Sequence, residues 1–108
     1  MGAKVRDGVL FIMYMIKLSY ATSGWSNSKI SKVSEDFESL IYEAHVTRSN
    51  RTLEVYMETT GEDLIGYLSA AIMVFRNEIQ RQVRDADGYP EEVKVSKVGS
   101  GSSIRATV

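Results

Sequence analysis

The chain has one histidine, His45, and no cysteine. His45 is therefore the side chain to examine first for proton transfer near neutral pH. The sequence places it on a strand opposite Glu54, where a protonated imidazole and a carboxylate can pair across the sheet. A catalytic dyad would also need a nucleophile within hydrogen-bond reach. Thr47 shares the face, but two positions along a strand separate the backbones by about 7 Å. The serines fall in turns and at helix starts, so no catalytic residue is assigned, and His45 reads as a surface histidine beside a carboxylate. Without cysteine there is no disulfide framework, thiolate metal site or thiol nucleophile.

The carboxylates give no catalytic pair or metal site either. Asp85-Ala86-Asp87-Gly88 resembles the opening of a calcium loop, with Glu91 and Glu92 downstream. It lacks the remaining alternating oxygen ligands and the spaced terminal Glu. Glu35/Asp36 and Glu62/Asp63 are sequence neighbours and read as solvated charges on helix faces and starts. Gly61 and Gly66 are isolated, so no glycine-rich phosphate loop is present. No metal and no cofactor are expected, and the protein is expected not to be an enzyme.

Association is the remaining lead, and it comes from Val9-Leu10-Phe11-Ile12-Met13-Tyr14-Met15-Ile16, eight apolar residues without a polar interruption. A strand alternates its side chains between two faces, so this run is apolar on both. Lys4 and Arg6 before it, with Ala21 and Ser23 after it, imitate a secretory signal. Asp7 at its start and Lys17 close behind it favour a buried strand instead. Nothing approaches the length of a membrane span. With 44% hydrophobic and 25% charged residues and a formal charge of −1, the expectation is one soluble, cytoplasmic domain over 1–108 with no membrane contact and no global attraction to nucleic acid.

Residues 1–7 form a loose polar lead. The first strand spans about 9–20, with Leu10, Ile12, Tyr14, Ile16, Leu18 and Tyr20 facing the core. Lys17 and Ser19 on the other face mean that this face opens to water at one end. Ser26, Asn27 and Ser28 are candidate N-caps for a helix over about 28–41, in which Ile30, Val33, Phe37 and Leu40 recur at helical spacing. Trp25 packs over its start. A hairpin follows. With Ser49-Asn50 as a two-residue turn, Val46 opposes Leu53 and Ala44 opposes Val55 on one face. His45 then opposes Glu54, Thr47 opposes Thr52 and Glu43 opposes Tyr56 on the other. Strands at about 42–48 and 51–59 result. Thr60 and Asp63 resemble a capping box at the start of a long helix whose stripe is Leu64, Leu68, Ala71, Phe75, Ile79 and Val83, ended by Gly88 and Pro90. Val93 and Val95 point inward from a fourth strand. Residues 99–108 form a Gly/Ser loop and a fifth strand through Ile104, Ala106 and Val108.

Strand, helix, strand, strand, helix, strand is the α+β, ferredoxin-like split βαββαβ arrangement: an antiparallel sheet with two helices on one face and the first and third strands central. Its other face is open. Phe11, Met13 and Met15 are expected there beside His45, Glu54 and Tyr56, as an exposed apolar patch for association. The function expected is a small protein-interaction module, either a homodimer or an adaptor or inhibitor of another protein. The same topology carries RNA-recognition domains, which stack bases on aromatics of the central strands, and Phe11 and Tyr56 stand in comparable places. The basic-Gly-aromatic signature is absent from Thr52-Leu53-Glu54-Val55-Tyr56-Met57-Glu58, and Glu54 and Glu58 would repel a phosphate backbone. Arginines 48 and 51 at the hairpin tip and 76, 81 and 84 on the long helix read as solvating charges. Nucleic-acid binding is therefore the second alternative.

Overall fold

A computed structural model describes residues 12–98. The expected lead at 1–7, Val9, Phe11 and the expected fifth strand lie outside the described residues. The elements are β1 (Met13–Ala21), α1 (Asn27–Leu40), β2 (His45–Ser49), β3 (Thr52–Thr60), α2 (Leu64–Gln82) and β4 (Glu92–Lys97). The strands form one antiparallel sheet in the order β2-β3-β1-β4. This is the split βαββαβ, ferredoxin-like arrangement, with β1 and β3 central.

The alternation of β1 selects its core face. Ile16, Leu18 and Tyr20 are buried there beside Leu53, Val55 and Met57 of β3. Ser26 caps α1, its hydroxyl accepting from Lys29 N–H at 3.2 Å, and Ile30, Val33 and Phe37 are buried. Leu40 ends outside the stripe, half exposed. The α2 stripe buries Ala71, Phe75 and Ile79, with Leu64, Leu68 and Val83 packed against them. Three rings tie the layers together. Phe37 and Phe75 stack at 4.0 Å between centroids, and Tyr20 meets them at 5.6 and 6.5 Å.

Three expectations need correction. The hairpin turns at Asn50-Arg51, with Arg51 at φ 62°, so His45 faces Tyr56 and Thr47 faces Glu54. This register lies two residues from the expected one. A two-residue shift returns every side chain to its own face, so apolar parity could not tell the two apart. The turn decides, closed by the Thr52 hydroxyl donating to Ser49 C=O at 2.7 Å. The second correction is that α2 stops at Gln82, before Gly88. Gly88, at φ 81°, lies against the helix, where a Cβ would sit 2.9 Å from the Arg76 carbonyl oxygen. The Arg76 guanidinium covers the Tyr89 ring at 4.8 Å. The third is that Val93 and Val95 share the helix-side face but remain 41% and 42% exposed, because neither α1 nor α2 packs closely on β4.

Gly88→Ala combines a left-handed backbone with a backbone clash and should cost about 2–4 kcal/mol, read as a lower urea midpoint. An unchanged midpoint would show that the 83–90 segment does not pack as described. The Tyr20 hydroxyl is buried without a hydrogen-bond partner, and burial pushes its pKa far up. Tyr20→Phe should therefore keep or raise stability, by about 1 kcal/mol, whereas Phe75→Ala should cost about 3–5 kcal/mol.

Candidate functional site

The open face is a set of cross-strand rows. One runs Thr47, Glu54, Ser19, Glu92; the next runs His45, Tyr56, Lys17, Lys94; a third runs Glu58, Met15, Ser96. Met13, Met15, His45, Glu54 and Tyr56 thus all lie on this face, while Phe11 lies outside the described residues. The face is more polar than an apolar patch. Glu54 meets Lys17 at 3.8 Å and accepts from the Tyr56 hydroxyl at 3.1 Å. That hydrogen bond, with partial burial and the Glu54 charge behind it, raises the Tyr56 pKa. The expected His45–Glu54 pairing is not formed, because the register sets His45 opposite Tyr56.

Met15, His45 and Tyr56 come together in a groove of about 770 Å³ that Glu58 also lines. Its remaining wall was not legible as a site. Tyr42 and Glu43 come from the α1–β2 connection, and Tyr67 from α2. The groove exists because β2 starts at His45, opposite Tyr56, whereas β3 continues to Thr60. Glu43 sits at φ 68°, a left-handed conformation unusual for a side-chain-bearing residue, and it turns the chain away before β2 can extend. The ladder alternation then fixes where the next backbone groups point. Gly61 N–H donates to Ile12 C=O at 3.0 Å and Thr22 N–H to Arg51 C=O at 2.9 Å, so odd residues of β3 bond to β1. Even ones face β2, and at Glu58 they face the groove. Tyr42 is 86% exposed. Tyr67 is partly buried, and burial, then the Glu43 charge, raises its pKa. Neither Glu43 nor Glu58 has a salt-bridge partner among the described residues.

The two sheet edges differ. On β2, the outward Val46 N–H is taken by Glu38 Oε2 at 3.1 Å, which blocks further pairing there. On β4, Val98 N–H donates to Met13 C=O at 2.9 Å, so the alternation turns the N–H groups of Val93, Val95 and Lys97 outward.

A second polar cluster, absent from the sequence expectations, joins the helices. Gln82 Nε2 donates to both Asp36 and Glu78, and Arg81 donates to the buried Glu78 at 2.6 Å. Helical spacing could not pair Asp36 with Glu78, because they lie on different helices. Asp87, in the stretch that resembles the opening of a calcium loop, accepts from Tyr89 N–H at 2.9 Å in a local turn. Among the described residues no three His, Asp or Glu side chains are grouped to hold a metal ion, and no helix is long and apolar enough to cross a membrane.

Comparison with known proteins finds no matching family model, no matching curated protein and no matching solved structure.

Asp36 is held below the usual carboxylate range by its place in the cluster with Glu78, where Lys32 and Gln82 donate to it, against partial desolvation. A depressed folded pKa contributes stability that is complete above the unfolded value, about pH 4, and is lost as pH falls through the folded value. Urea midpoints measured from pH 6 to pH 2 should fall less steeply below pH 4 in Asp36→Asn than in wild type. Parallel acid limbs would show that the interhelix cluster does not hold the Asp36 charge.

Proposed function

We propose that the protein is a small non-enzymatic protein-interaction module that takes an extended segment of another protein into the groove at the β2 end of its open sheet face. The observation carrying this reading is the groove itself, where Met15, His45 and Tyr56 meet Tyr42 and Tyr67. Its volume lies within the range of ligand-binding clefts, and the unpaired end of β3 offers main-chain groups for strand addition. Charge favours a protein over a nucleic acid, since Glu54, Glu58 and Glu92 outnumber Lys17 and Lys94 on the open face. A second copy laid over the whole face would have to desolvate these five charges, which opposes dimerisation by that route.

Homodimerisation is better served by β4, exposed along its whole length with Val93 and Val95 uncovered. A two-fold axis beside Val95 would set Val95 against its mate, Lys94 against Ser96 and Val93 against Lys97, joining two sheets at their open edges.

Selection of a random peptide library on the immobilised protein tests the docking reading. Enriched peptides should lose at least tenfold in affinity on Met15→Asp, and a random single-stranded oligonucleotide should not displace them. Peptides indifferent to Met15→Asp, or displaced by the oligonucleotide, would overturn it. For the edge, light scattering should give twice the 12.1 kDa chain mass for wild type and the single mass for Val95→Glu. A monomeric wild type at several hundred micromolar would remove the dimer.

A further inference from the structure

Among the described residues, two carboxylates without an ion-pair partner share one groove with three tyrosines. Glu43 and Glu58 line the groove with Tyr42, Tyr56 and Tyr67. Neither makes a salt bridge or a side-chain hydrogen bond among the described residues, in contrast to Glu54, which is held by Lys17 and Tyr56. Aromatic faces attract cations through their quadrupole, and carboxylates at the rim add Coulombic attraction. Among the described residues, His45 is the one basic side chain on the groove wall. The backbone of Glu58 faces the same space, where a continuing strand would have paired with it.

We propose that the groove recognises a basic extended peptide, its main chain pairing with Glu58 in the line that β2 leaves unfilled and an arginine or lysine side chain lying among the tyrosines between Glu43 and Glu58. This rests on the docking reading above and adds the chemistry of the partner. The two parts of the site do different jobs. The β3 backbone accepts an extended chain of any sequence, and the tyrosine-carboxylate wall selects a positive side chain at one position along it. Glu43 is the sharper probe, because its left-handed backbone is one that glycine adopts freely. Glu43→Gly removes the carboxylate while relieving the backbone, so lost binding cannot be put down to a damaged fold.

The test is amide chemical-shift titration of the full chain with three acetylated, amidated pentapeptides, Ser-Arg-Ser-Arg-Ser and its lysine and glutamate counterparts. The arginine and lysine peptides should shift the Glu58, Tyr42 and Tyr67 amides. Their affinity should fall at least tenfold in Glu43→Gly, whose melting temperature stays at or above that of wild type, and in Glu58→Gln. Raising salt from 50 to 500 mM should weaken them severalfold. If the glutamate peptide shifts the same amides as strongly, the groove docks chains without charge preference; the basic-partner inference falls and the docking reading stands. If none of the three shifts those amides, while library-selected peptides still require Met15, the basic-partner inference falls and the docking reading stands for a partner of other chemistry. If the selected peptides fail too, both fall.

Discussion

The stack of Phe37 on Phe75, with Tyr20 closing against both rings, is the contact on which the rest of the molecule depends. Each ring comes from a different element, so one cluster fixes the distance and angle between the sheet and both helices. Aromatic contacts of this kind combine large buried area with a preferred geometry, and here they occupy the centre of a small core with little redundancy. The Tyr20 hydroxyl is carried into that core unpaired, so the cluster holds despite a desolvation cost. The interhelix polar group around Asp36, Glu78 and Gln82 lies at the next contact along the same pair of helices, and it adds orientation to what the rings supply in burial.

With α1 held by Phe37, the chain must leave that helix and enter the sheet through residues 41–44. Glu43 takes a left-handed backbone in doing so, β2 is left five residues long, and β3 overhangs it. The groove is therefore a result of packing on the opposite side of the sheet. The connection that the aromatic cluster anchors also sets where β2 begins, and the starting point of β2 decides which backbone groups of β3 stay without a neighbour among the described residues. Glu38 of α1 meanwhile takes the outward Val46 N–H on the edge of β2, so the two ends of that strand's surroundings differ: a capped edge and an overhang.

Most of the architecture was legible because it follows from parity. Which face Ile16, Leu18 and Tyr20 take, and which face Met15, Lys17 and Tyr56 take, depends on alternation alone, and alternation survives errors in register. The hairpin shows the limit. Pairing His45 with Glu54 and pairing it with Tyr56 satisfy the same inside-outside pattern, and the difference lies in one turn at Asn50-Arg51 with no strong sequence signature. The end of α2 was misread for a related reason. Gly88 has the left-handed backbone expected of a helix stop, but it is used to pack a returning segment against Arg76. The site was half legible. Met15, His45 and Tyr56 follow from strand parity, whereas Tyr42, Glu43 and Tyr67 come from a loop and a helix that only the three-dimensional packing brings alongside, and no periodicity in the chain reports that.

β3 runs past β2 and leaves its Glu58 backbone facing a strand position that no described residue fills. Native-state amide hydrogen exchange reads this directly, residue by residue. Met57 and Thr59 N–H, bonded to β1, should be protected, while Glu58 N–H between them exchanges at a rate near that of an open chain. Protection of Glu58 equal to that of its two neighbours would mean the position is already filled, and the account of the groove would be wrong.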